Sequence, residues 1–161
     1  MKAARILILA CVFLAVGVVP GSAFDMTGTW EGGWTCRVQH NGTFTSFSVK
    51  AVTMQVTQQD STVYLDFFNG KYHYSGWAEA DSENANRGAV TVVECRTSPT
   101  STAFNEVISA RVKTSGGGEF SGTSTYSLID PLVTDIGGIC KLTFKRTSAA
   151  DPGVGPCLSP K

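Results

Sequence analysis

Segments with strand-like composition contain carboxylates, among them Asp66, Glu79, Glu94 and Glu106. Two carboxylates that meet inside a protein can act as a general acid and a general base. Carboxylates on the solvent face of a sheet instead pair weakly with Lys or Arg on neighbouring strands. We expect the second arrangement, with all four side chains pointing outward.

The other residue types that carry out catalysis give no stronger signal. His40 and His73 are the two histidines of the chain, and neither is followed at metal-ligand spacing by another strong ligand. No serine stands in a Gly-x-Ser-x-Gly nucleophile elbow. We therefore predict a protein that is not an enzyme and that holds neither a metal nor a cofactor.

Aromatic residues with a polar atom are better candidates for a function. Such residues combine an apolar ring with a hydrogen-bonding group, which suits contact with a small ligand at a cavity mouth that is partly exposed to solvent. The candidates are Trp34, Tyr74, Trp77 and Tyr126. The alternative for these four residues is packing in the core.

The amino terminus resembles an export signal. Lys2 and Arg5 precede an apolar run from Ile6 to Val19, and Gly21-Ser22-Ala23 offers small residues for cleavage. The run is too short to span a bilayer. We predict a cleaved signal peptide over residues 1–23 and a secreted or periplasmic product. A lipoprotein site at Cys11 is the alternative.

The remaining chain suits one domain over residues 24–147, followed by a Pro- and Gly-rich tail over residues 148–161. Its 13 acidic residues nearly balance the basic ones, so neither nucleic acid nor an anionic membrane is an expected partner. Four cysteines remain for an oxidising compartment, and their spacing lacks a C-x-x-C metal motif.

Alternating apolar and polar residues, rich in Thr, Val and aromatics, predict eight strands and no long helix. The strands cover roughly residues 27–38, 47–58, 61–68, 71–79, 88–97, 104–113, 119–128 and 138–146. Short links, such as the hairpin signal Asn69-Gly70, favour antiparallel neighbours. We predict an all-β, eight-stranded up-and-down barrel, because closure removes unpaired sheet edges. Even-numbered positions face the interior on most strands, whereas the fourth and fifth show no clear alternation.

In a closed barrel the first and last strands are neighbours. If Trp30 lies opposite Arg146, the same antiparallel register places Cys36 opposite Cys140. The guanidinium would then stack on the indole and close one end of the barrel. The register favours a Cys36–Cys140 bridge, which leaves Cys95 with Cys157. The pairing of Cys36 with Cys95 and of Cys140 with Cys157 stays open.

Gly28-Thr29-Trp30 on the first strand and Arg146 on the last one resemble the calycin group, which includes lipocalins and avidin-like proteins. The resemblance implies that Trp30 and Arg146 pack together beneath the barrel floor. It also implies a lipocalin-type disulfide from a middle strand to the carboxyl-terminal tail, which corresponds to Cys95 with Cys157. Second and third lipocalin motifs are missing from the sequence.

The function that we expect from this resemblance is non-enzymatic. A lipocalin-like binding protein would hold a small apolar or aromatic ligand at the end of the barrel away from Trp30 and Arg146. The alternative is an interaction protein with a filled barrel, such as a small exported protease inhibitor.

Overall fold

A computed structural model describes residues 24–40, 42–95, 104–130 and 133–157. The expected signal peptide, its cleavage site and the alternative lipoprotein site at Cys11 all lie outside these residues. The described part of the chain is all-β and contains no helix. Accordingly, no helical segment capable of crossing a bilayer occurs within it.

Eight strands form one closed antiparallel barrel in which every strand pairs with its neighbour in sequence and the last strand pairs with the first. Their bounds are β1 Gly28–His40, β2 Thr43–Gln59, β3 Thr62–Phe67, β4 Tyr72–Ala80, β5 Arg87–Cys95, β6 Phe104–Lys113, β7 Glu119–Asp130 and β8 Val133–Ser148. The predicted fold class is therefore confirmed. The largest boundary differences are the earlier starts of β2 and β8.

The seam between β1 and β8 has the expected register. Trp30 pairs with Arg146, Cys36 pairs with Cys140, and the two cysteines form a disulfide across the seam. A second disulfide joins Cys95 to Cys157, so the alternative connectivity is wrong.

One end of the barrel is closed by Trp30, which is fully buried. The Arg146 guanidinium carbon lies 5.5 Å from the centroid of the Trp30 ring. Arg146 also donates hydrogen bonds to the backbone oxygens of Thr114 (2.6 Å) and Asp25 (3.1 Å). A Cβ atom at Gly118, whose φ is +68°, would lie 2.7 Å from Arg146 Cβ, so glycine is needed there. The packing of Trp30 with Arg146 that the resemblance implied is thus present.

Side chains alternate along β4 and β5 more regularly than the sequence indicates. Tyr74 and Val92 are buried inside the barrel, whereas Trp77 and Val93 are exposed outside it. Even-numbered positions therefore face inward on these strands too. Large apolar residues on both faces obscured the alternation.

The carboxyl-terminal tail is held against the outside of the barrel as far as Cys157. The Thr57 hydroxyl on β2 donates a hydrogen bond to Asp151 and accepts one from the Val154 amide at 2.9 Å. The Thr57 hydroxyl and the Gly153 amide together hold the pKa of Asp151 below its ordinary value. Val154 is buried, and the disulfide to Cys95 ties the tail to β5.

Candidate ligand-binding cavity

A cavity of about 370 Å³ opens at the end of the barrel away from Trp30 and Arg146. Cys36 and Cys140 line it, six residues along their strands from the closed end, which corresponds to about 20 Å. Much of its wall is aromatic or aliphatic, formed by Trp34, Phe47, Val49, Phe67, Phe68 and Leu142. A volume of a few hundred cubic ångströms is typical of small-molecule sites.

The aromatic wall is a set of edge-to-face contacts centred on Trp34 and Phe67. The Trp34 ring lies 5.3 Å from that of Phe67 and 5.6 Å from that of Phe68, and Phe67 lies 5.6 Å from Tyr74. The rings in each of these pairs are nearly perpendicular, the arrangement that aromatic quadrupoles prefer. These contacts fix the shape of the apolar side of the cavity.

A bulge in β2 supplies two of the apolar wall residues. Ala51 has a φ of 56° and is skipped in the pairing of β1 with β2, where Val52 pairs with Gly32 and Lys50 with Gly33. One extra residue reverses the alternation of side chains. Phe47 and Val49 therefore face the cavity, although they have odd numbers.

Phe68 reaches the cavity from a tight turn. The predicted turn residues Asn69 and Gly70 both have positive φ, as a type I′ turn requires. Phe68 itself also has a φ of 52°, which is rare for a bulky residue. Its ring lies at the cavity rim, where it is 42% exposed.

The other side of the cavity carries two carboxylates and two tyrosines. Tyr74 on β4 pairs with Glu94 on β5, and Glu106 on β6 pairs with Tyr126 on β7. The Tyr74 hydroxyl donates a hydrogen bond to Glu106 Oε2 at 2.7 Å. All four side chains line the cavity, so they form an acidic, hydrogen-bonding patch opposite the apolar wall. We call these four residues the acidic patch.

Burial and the nearby charge of Glu106 shift the pKa of the other three residues of the acidic patch. Burial, followed by the nearby charge of Glu106, raises the pKa of Glu94 to about 7. Burial, again followed by Glu106, raises the pKa of both Tyr74 and Tyr126. Glu94 therefore changes charge close to neutral pH.

Two buried polar atoms of the cavity lack a hydrogen-bond partner among the described residues. They are Oε2 of Glu94 and Oγ of Ser124. Ser124 is 1% exposed and precedes Tyr126 by two residues on the same face of β7. Buried polar atoms are normally paired with protein or water, so each of these is available to a bound molecule.

Tyr126 is placed by a glycine on the neighbouring strand. Tyr126 pairs with Gly138 on β8, and a Cβ atom at Gly138 would lie 2.6 Å from Tyr126 Cζ. The ring therefore lies over the backbone of β8, where only glycine leaves room.

The structure brings together three of the four residues that the sequence predicts as ligand contacts. Trp34, Tyr74 and Tyr126 line the cavity, whereas Trp77 is 58% exposed on the outer face of β4 and is not part of it. The expectation that Glu94 and Glu106 point outward is wrong. Their even numbers were the available signal, because even-numbered positions face inward along β5 and β6.

Neither histidine is among the residues that line the cavity. His73 contacts Asp66 on the outside of the sheet, and one of its ring nitrogens lies within 4.8 Å of the sulfurs of Cys95 and Cys157. Both sulfurs are joined in a disulfide and are not free thiolate ligands.

A second concave region of about 450 Å³ lies on the outer face near the ends of β4 to β7. Its charged residues are three basic and three acidic side chains, namely Arg87, Arg111, Lys113, Glu79, Asp81 and Glu119. The mixed charges favour neither sign of ligand, and the cavity inside the barrel is the better candidate site.

The fold and the cavity together define a closed eight-stranded antiparallel β-barrel with an internal pocket that has a mainly apolar wall and two carboxylates. Comparisons of the chain with protein-family models, with curated proteins and with solved structures give no match.

Proposed function

We propose that this protein is an exported, lipocalin-like binding protein that holds a small molecule with an aromatic or apolar body in the barrel cavity. The cavity is the observation that carries the proposal, because its size and its aromatic wall suit such a body. A completely filled barrel, the alternative expected from the sequence, would leave no such space.

The rest of the fold supports this proposal. The barrel layout and the pair of Trp30 with Arg146 are consistent with a calycin-like protein. Two disulfides are typical of secreted or periplasmic proteins. The apolar core beneath the cavity holds the barrel together without a ligand, since each fully buried large side chain contributes about 1.5 to 3 kcal/mol.

A neutral, polarity-sensitive dye tests binding in the cavity. The oxidised protein is titrated with N-phenylnaphthylamine, and bound dye is then displaced with naphthylethanol. Ser124→Leu fills part of the cavity, whereas Thr123→Leu adds the same side chain at the adjacent, exposed position. We expect the wild type and Thr123→Leu to bind the dye equally and Ser124→Leu to lose at least about tenfold in affinity.

Thermal melting of each variant checks that it is folded. An absence of dye binding to the wild type would contradict the proposal. Equal affinities in folded Ser124→Leu and Thr123→Leu would contradict it as well, because the dye would then bind elsewhere.

A further inference from the structure

We propose that the natural ligand is a primary amine, whose ammonium group binds between Glu94 and Glu106 while its apolar body lies against Trp34 and Phe67. This inference rests on the proposed function and specifies the chemical class of the ligand. It follows from the charge of the cavity lining, from the unpaired acceptors and from the position of the aromatic rings.

The charge of the lining carries one sign. Among the described residues that line the cavity, Glu94 and Glu106 carry the ionic charge, and none is Lys, Arg or His. A carboxylate-bearing ligand such as a fatty acid would meet repulsion there, whereas a cation would neutralise two partly buried carboxylates. The lining therefore selects against anions.

One oxygen of the second carboxylate lacks a partner among the described residues. Glu106 accepts a hydrogen bond from Tyr74, but Oε2 of Glu94 is buried without a donor in the described part of the chain. Leaving a charged acceptor unpaired is costly, and a donor supplied by a ligand would remove that cost. An N–H group on a cation is the strongest such donor.

The number of acceptors matches a primary ammonium group. Such a group has three N–H donors. Glu94 Oε2, Glu106 and the unpaired Ser124 Oγ line the same cavity and provide three acceptors. A quaternary ammonium could not donate to them. The Trp34 and Tyr74 rings border the same space and can add cation–π attraction.

Three probes that share a naphthyl ring and differ in their head group measure how much the head group contributes to binding. Calorimetric titrations with naphthylethylamine, naphthylethanol and naphthylacetate are made at about pH 8, where Glu94 is ionised. We expect the amine to bind at least about tenfold more tightly than the alcohol, and the acetate to bind most weakly. Binding of the alcohol with no gain for the amine would overturn the ammonium proposal and leave the binding function standing. An absence of binding by all three probes would overturn both.

Isosteric variants show where the ammonium head group of the amine probe binds. Glu94→Gln removes the charge but keeps the shape, and Glu79→Gln removes a carboxylate from the outer face as a matched control. We expect Glu94→Gln to lower the affinity for the amine at least about tenfold and to change the affinity for the alcohol less than about twofold. Glu79→Gln should change neither. Equal losses for amine and alcohol in Glu94→Gln would show a merely structural effect and overturn the proposal.

The pH dependence of binding is a readout that cavity shape alone would not produce. The titratable groups that line the cavity with Glu94 are Glu106, Tyr72, Tyr74 and Tyr126. Because Glu94 ionises at about pH 7, amine affinity should rise between about pH 6 and 8 while alcohol affinity stays level. Glu94→Gln should abolish this rise. A level profile for the amine with the wild type would overturn the proposal.

Discussion

The Tyr74 hydroxyl donates a hydrogen bond to Glu106 Oε2 over 2.7 Å, which connects β4 to β6 across the inner face of β5. The intervening position on β5 is Glu94, the register partner of Tyr74. One donor thus satisfies one carboxylate, and the adjacent carboxylate keeps a buried oxygen unpaired. This difference in hydrogen bonding between the two neighbouring carboxylates is the basis of the predictions on ligand class and on pH dependence.

The stability of the unliganded protein should depend on pH through Glu94. Its pKa rises from 4.5 to about 7 on folding, so between these values the folded protein keeps a proton that the unfolded chain releases. The free energy of unfolding should therefore fall as pH rises from about 4.5 and should level off above about 7. Urea unfolding of wild type and Glu94→Gln over this range measures the difference. Glu79→Gln is the control, and a wild-type profile parallel to that of Glu94→Gln would contradict the prediction.

Arg146 should stabilise the closed end through the geometry of its guanidinium rather than through its charge. Arg146→Lys keeps the charge but loses hydrogen bonds to Thr114 and Asp25 and the stacking on Trp30. We expect a loss of about 1 to 3 kcal/mol in urea unfolding. Arg111→Lys on the outer face should have little effect, and equal stabilities of the two variants would rule out this role.

Thr57 should attach the tail to the barrel. Thr57→Val leaves the Val154 amide and the Asp151 carboxylate without their shared hydroxyl. Because the buried Val154 amide then lacks an acceptor, we expect a loss of about 1 to 3 kcal/mol in unfolding free energy and faster proteolysis of the tail in the oxidised protein. Thr53→Val, at an exposed position of the same strand, is the control. A tail as resistant as that of the wild type would contradict the assignment.

Phe68 should contribute to binding at a cost in backbone strain. Asparagine adopts positive φ more readily than phenylalanine, but it cannot replace the ring against Trp34. Phe68→Asn should therefore keep or raise the melting temperature. It should also lower the affinity for naphthylethanol several-fold, as expected for the loss of an aromatic contact of about 0.5 to 1.5 kcal/mol. A lower melting temperature with unchanged affinity would mean that Phe68 is structural only.

The barrel and its seam could be predicted because each rests on a regular pattern. Short links give antiparallel neighbours, and one register accounts for Trp30 with Arg146 and for Cys36 with Cys140. The cavity depends on departures from such patterns. The bulge at Ala51 turns Phe47 and Val49 inward, and no residue type at this position predicts a bulge. The sequence predicts Glu94 and Glu106 on the outer face because polarity normally indicates that face, whereas both side chains line the cavity.

The location of a bound aromatic molecule tests the central claim most directly. Nuclear Overhauser effects between naphthylethanol and the aromatic side chains of the oxidised protein measure that location. The proposed cavity predicts effects to Trp34, Tyr74 and Tyr126 and none to Trp77, which lies outside the barrel. Effects confined to Trp77 and other outer residues, or a complete absence of effects at saturating probe, would contradict the account.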